Sequence, residues 1–153
     1  MRRIYLVLFY LMFCFTGAVA RVPNSDSESN ITTGVENVLH QQVEAWNGRD
    51  LDAFMSGYWN SPDLTFFSGA KKVSGWQPTL ERYRRTYQGE GHEMGKLEFS
   101  ELNVQAVGKD AAFVRGAWHL TMSDGKTPHG LFTLVFRKFP NGWKIVHDHT
   151  SAE

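Results

Sequence analysis

The last stretch of the chain, Trp143-Lys144-Ile145-Val146-His147-Asp148-His149-Thr150, alternates in character, and a strand that alternates sorts its side chains onto two faces. One face receives Trp143, Ile145, His147 and His149. The other receives Val146, Asp148 and Thr150. Just before it, Phe139-Pro140-Asn141-Gly142 has the pattern of a type I turn followed by a glycine in the left-handed conformation. That turn predicts pairing of Phe139 with Trp143, Arg137 with Ile145, Val135 with His147 and Thr133 with His149. On the opposite face it pairs Phe136 with Val146, Leu134 with Asp148 and Phe132 with Thr150. A slip of one residue would exchange the two faces.

The second face is the more apolar, and Val114, Gly116, Trp118 and Leu120 extend it if the neighbouring strand follows in ordinary register. It is therefore expected to be the inner face. Asp148 then becomes a carboxylate among Trp118, Phe132, Leu134 and Tyr83. Such a group costs several kcal/mol unless it is hydrogen-bonded or keeps its proton. The other face holds Arg115, His119, Arg137, His147 and His149 beside Val135, Phe139, Trp143 and Ile145, too apolar for free solvent. Pairing with a second copy of the chain would cover it, so a homodimer is expected.

Upstream, Thr33-Gly34-Val35-Glu36 has capping-box spacing and predicts a helix start. Val35, Val38, Leu39, Val43 and Trp46 then form one apolar stripe. Asp50 caps a shorter helix bearing Leu51, Phe54, Met55 and Tyr58. Short strands are expected at 64–67 and 71–74, and a third helix opens at Ser74 or Gly75 with Trp76, Leu80, Tyr83 and Tyr87 on one side. From Leu97 onward four long strands run as an antiparallel meander. Helices early and strands late specify an α+β fold, a cone-shaped curved antiparallel sheet with three N-terminal helices on its concave face.

Residues 1–20 read as a secretory signal peptide: Arg2 and Arg3, an apolar run from Ile4 to Phe15, then Ala18-Val19-Ala20. The run is shorter than the roughly 20 residues a bilayer-spanning helix needs. Residues 21–31 read as a flexible leader, and 32–153 as one domain. A secreted or periplasmic protein is expected, free of the membrane after cleavage. The one cysteine, Cys14, lies in the signal, so no disulfide or thiol chemistry is expected. Without Arg2 and Arg3 the chain carries 14 basic against 16 acidic residues, a net charge of −2 that argues against nucleic acid as partner. Arg82, Arg84 and Arg85 with Lys71 and Lys72 form the one basic cluster, read as a solvated helix face.

Three segments carry a resemblance: Ala45-Trp46-Asn47-Gly48-Arg49-Asp50-Leu51-Asp52-Ala53-Phe54, Gly108-Lys109-Asp110-Ala111-Ala112, and Asn141 to Ser151. Together they resemble the nuclear transport factor 2-like superfamily over nearly everything after Thr33. The nearest branches are the SnoaL-like domains, an exported bacterial domain family of unknown function, and the association domain of calcium/calmodulin-dependent protein kinase II. The resemblance implies a dimeric cone with a ligand-sized cavity. Where the kinase domain carries cavity arginines, this chain has Trp118, Leu134 and Thr150, which implies an apolar or neutral small molecule. Ketosteroid isomerases share the fold, but where their general base would fall stands Ser68-Gly69. SnoaL-like cyclases use an acidic residue for proton transfer, and Asp148 is the stand-in.

The expected site therefore joins Trp59, Phe66, Trp76, Tyr83, Tyr87, Trp118, Leu134, Asp148 and Thr150, with Asp148 as the catalytic candidate. An isomerase- or cyclase-type enzyme would use Tyr83, Tyr87 or Trp118 as donors to an oxyanion. A non-catalytic dimerisation module is the third reading. His147 and His149 point the same way, but an ion would need a further ligand such as His119, so neither metal nor other cofactor is expected. Glu101, a second carboxylate to consider, is expected outside its strand.

Overall fold

The computed structural model describes residues 25–153. The expected signal peptide and the first residues of the leader lie outside them. In order, the elements are α1 (Ser25–Asn47), α2 (Leu51–Met55), β1 (Thr65–Ser68), β2 (Lys71–Ser74), α3 (Trp76–Tyr87), β3 (Lys96–Ala106), β4 (Ala111–Thr121), β5 (His129–Phe139) and β6 (Gly142–Thr150). The six strands form one sheet in the order β2-β1-β6-β5-β4-β3. All neighbours are antiparallel except β1 and β6, which run parallel. The α+β order and the meander are as expected, but the helical layer differs in detail. Only α1 and the five-residue α2 precede the sheet, while α3 follows the β1–β2 pair, where the sequence places the third helix.

Helix α1 begins at Ser25, not at the capping box, so Thr33 sits within the helix and residues 25–31 are not an irregular leader. Ile31 explains the extension. It is buried and continues the stripe of Val35 and Leu39 back by one turn, and tertiary burial outweighs a local cap preference. Lower down, Gln42 takes a core position that the sequence suggests for Val43. Its amide donates to the Phe54 carbonyl at 3.2 Å, which satisfies the polar end where α1 meets α2. At α2 the expected cap is present: Asp50 accepts from the Ala53 amide at 2.8 Å.

The terminal hairpin carries the main departure from expectation. Pairing of Phe132 with Thr150, Thr133 with His149, Leu134 with Asp148 and Val135 with His147 follows the predicted register. Beyond Val135 the register shifts. Phe136 faces Ile145 and Lys138 faces Trp143, leaving Val146 as the extra residue of a bulge. Ile145 and Trp143 consequently point inward, at 0% and 6% exposure, and not to the outer face. The bulge lies where β6 changes neighbours. Ile145 bonds backbone to backbone with Gly57 and Trp59, whereas His147 to Thr150 pair with β1. Bending the strand there lets both halves present their apolar residues to the same core.

Candidate functional site

Asp148 is buried, at 4% exposure, in the half of β6 that keeps the expected register. Its neighbours across the sheet are Leu134 on β5 and Phe66 on β1. Oδ2 accepts a hydrogen bond from the Tyr58 hydroxyl at 2.7 Å, and Oδ1 has no partner. Burial raises the carboxyl from its ordinary 3.8 to about 7, against a smaller downward pull from the Tyr58 hydrogen bond. Near neutral pH the group is therefore poised between acid and carboxylate.

Tyr58 reaches this position because its backbone bridges to Ile145 just past the end of α2. Burial, then the nearby Asp148, pushes its hydroxyl well above the usual tyrosine range, so it remains a donor. Tyr83 on α3 is raised likewise, by burial and then by Asp148. Its ring meets Phe66 at 5.5 Å and Phe54 at 5.2 Å between centroids, and it stacks with Tyr87 one turn on at 5.9 Å. Trp46, buried in α1, packs edge-on to Phe54 and Tyr87 and donates its indole N–H to the Met94 carbonyl at 3.1 Å.

These side chains enclose a cavity of about 140 Å³ between the helices and the sheet. A cavity of about this size accommodates a small organic molecule, of the order of a benzene ring. Phe66, Tyr83, Tyr87, Trp118, Leu134, Asp148 and Thr150 line it, as the sequence suggests. Trp59 and Trp76 do not. Trp59 stacks on Phe139 at 5.5 Å, beside the terminal hairpin. The Trp76 indole donates to the Met55 carbonyl at 2.8 Å and ties α3 to α2. Aromatic character alone does not separate a wall from a brace.

The wall also includes Trp46, Phe54, Tyr58, Arg82, Phe99 and Phe132, which the sequence pattern does not mark as such. Tyr58 is the consequential omission. It ends the apolar stripe of α2, so spacing alone makes it a core residue, and its contact with Asp148 spans 90 positions. The expected donor role of Trp118 is also corrected: its N–H is committed to the Ser151 carbonyl at 3.0 Å. Replacing Tyr58 by phenylalanine removes the one interaction that favours the ionised carboxyl. Tyr58→Phe is expected to move the Asp148 titration above about 7, read by carbon NMR of the labelled carboxyl. An unchanged or lower midpoint would show that the hydrogen bond does not tune the group.

On the opposite face, His147 shares a 2.6 Å hydrogen bond with Thr65 Oγ1, and both His147 and His149 set their rings edge-on to Phe67. Burial, and next the proximity of His149, lowers the basicity of His147. His119 stacks on His129, away from this pair. Among the described residues no three His, Cys, Asp or Glu side chains are grouped to hold an ion. Glu101 is exposed, as expected, at a bulge in β3 where its φ is 54°.

Residues 35–153 match the family model of the SnoaL-like domain. Among curated proteins, none matches the chain. Among solved structures, a nuclear transport factor 2-like protein of unknown function from Shewanella oneidensis MR-1 is 37% identical, with a TM-score of 0.73 over 79% of this chain and 98% of that one. A nuclear transport factor 2-like superfamily protein from Salmonella enterica serovar Typhimurium LT2 is 25% identical, with a TM-score of 0.64 over 83% of this chain and 91% of that one. A nuclear transport factor 2-like protein of unknown function from Pseudomonas putida KT2440, 20% identical with a TM-score of 0.66 over 85% and 89%, shares the fold. Sequence family and fold agree: the chain belongs to the SnoaL-like domain family of the nuclear transport factor 2-like superfamily.

Proposed function

We propose that this is an exported, dimeric domain that holds a small, largely apolar molecule against Asp148. The observation that carries the reading is the unpartnered Oδ1 of a buried carboxyl beside an aromatic-walled cavity. A filled core would leave such an atom no purpose and charge its desolvation to stability. A ligand hydroxyl or carbonyl within reach would supply the missing partner: the protonated carboxyl donates to a carbonyl, and the carboxylate accepts from a hydroxyl.

Native mass spectrometry and thermal shift against a library of compounds of about ten heavy atoms test this, with Thr150→Trp as the blocked control. The expected result is a bound mass and a raised melting temperature in the parent, both lost when the indole fills the mouth. Binding unaffected by Thr150→Trp would place the ligand elsewhere.

The same atom favours a second reading, proton transfer. With its pKa near 7, Asp148 as carboxylate takes a proton from a ligand carbon next to a carbonyl, forming an O–H bond as the C–H bond breaks. The electron pair moves onto the carbonyl oxygen, and the acid then returns the proton to a second carbon. Tyr83, whose hydroxyl lies beside the Tyr58 hydroxyl and the Asp148 carboxyl, would turn to donate to the oxyanion, since Tyr58 already serves Oδ2. Deuterium wash-in from heavy water at such a carbon, abolished in Asp148→Asn, is the expected signature. Binding without wash-in leaves a binding domain.

Dimerisation draws support from the outer sheet face, where Leu131 is 62% exposed on β5, two residues along from Thr133, the partner of His149. Inward-turned Trp143 and Ile145 make that face less apolar than the alternation implies. Sedimentation at micromolar concentration reads the oligomeric state directly. Export rests on the basic, apolar and small-residue order of the first twenty residues.

A further inference from the structure

We propose that Arg82 makes the cavity selective for a carboxylic acid with an apolar body, the guanidinium at the mouth taking the carboxylate and the aromatic walls taking the rest. This rests on the reading that the cavity holds a small molecule. It changes the expected ligand from a neutral compound to a monoanion.

The basic cluster that the sequence presents as one solvated face is split by the fold. Arg84 pairs with Asp52 at 2.6 Å, and Arg85 is exposed. Arg82 turns the other way. It is half-buried, its guanidinium lies 5.5 Å from the centroid of the Phe66 ring, and it lines the cavity. None of the ion pairs among the described residues involves it. A guanidinium held over a ring has its plane oriented and part of its freedom already lost, which lowers the cost of a bidentate contact with a carboxylate.

Besides its tyrosines, which stay protonated, the cavity wall holds one basic and one acidic residue, Arg82 and Asp148, and they do not neutralise each other. Asp148 answers to burial and to Tyr58, not to Arg82. Burial raises the hydroxyls of Tyr83 and Tyr87, and Arg82 partly opposes that rise in both, which places its field over the α3 wall. Thr86, four residues on from Arg82, and Ser68, two on from Phe66, also line the cavity and add hydroxyl donors at that end. The result is one cationic pole and one proton-holding pole, with Phe66 and Tyr83 between them. A molecule with an acid group at one end and a carbonyl or hydroxyl at the other satisfies both.

Calorimetric titration with phenylacetate and its isostere phenylacetamide isolates the charge, since both have the same shape and an apolar ring. In the parent, phenylacetate is expected to bind about tenfold tighter than the amide, with the advantage shrinking as salt rises. Arg82→Met should erase the preference by weakening the acid to the level of the amide, whereas Arg85→Met, on the exposed side, should retain it. Melting temperatures of both variants establish that they are folded. Equal affinities for acid and amide in the parent, or a preference that survives Arg82→Met, overturn the role of Arg82 and leave the cavity reading standing. Absence of binding by both compounds up to millimolar concentration, where the Shape-matched pair should occupy an open cavity, overturns the cavity reading and the selectivity with it.

Discussion

At pH 8, Asp148→Asn is expected to be more stable than the parent by on the order of 4 kcal/mol at most, and the two should converge near pH 4. In the folded chain the carboxyl titrates at about 7, raised from 3.8 by burial. Below 3.8 both folded and unfolded chains carry the proton, and the stabilising contribution is fully present. Between there and about 7 the unfolded chain releases a proton that the folded chain keeps, so stability falls with rising pH. Above the folded midpoint the contribution is lost. An asparagine of the same shape still accepts from the Tyr58 hydroxyl and carries no ionisable group, so its curve lacks this slope. Urea unfolding at several pH values checks the difference between parent and variant, which cancels every other titration. Parallel curves would mean that Asp148 is not desolvated as the structure has it. A residue whose replacement stabilises the fold at working pH, and whose unpartnered oxygen faces a cavity, is retained at a cost, as expected of a group kept for a ligand or for chemistry.

Much of this site was legible because strand alternation is a local rule. The inward set of Leu134, Asp148 and Thr150 and the outward set of His147 and His149 follow from period two and a recognisable turn, and both are observed. What local rules do not encode is where the alternation breaks. Lys144 to His147 contains no glycine or proline to mark the bulge, and its cause is tertiary: Gly57 and Trp59 bond to Ile145 on one side, and β1 takes over beyond it. The same holds for Tyr58 and Arg82. A stripe of apolar residues announces a buried helix face, and a run of arginines announces a wet one. Which tyrosine meets a carboxyl on a strand far along the chain, and which arginine turns inward, depends on helix placement over the sheet.

The seating of α1 on the sheet rests on Gly34, and a large loss of stability is expected there. A Cβ on this residue would stand 2.7 Å from both Cδ1 and Nε1 of Trp143, closer than any ordinary contact. The glycine is a notch in α1 that receives the indole, and it costs the helix about 1 kcal/mol relative to alanine. Trp143 is buried on its strand, which leaves the indole little room to swing aside. Gly34→Leu must therefore lift α1 from β6 and is expected to cost on the order of 3 kcal/mol or more, with Gly34→Ala losing less because helix propensity offsets part of the clash. A smaller partner restores the fit. In the double variant Gly34→Ala with Trp143→Leu, the losses should fall short of the sum of the two single changes by about 1 kcal/mol or more, measured as a coupling in urea unfolding. Additive losses would mean that the indole and the helix do not compete for the same space. In that case Gly34 would not be the notch that seats the inward-turned indole, and the close approach of α1 to β6 would rest on other contacts.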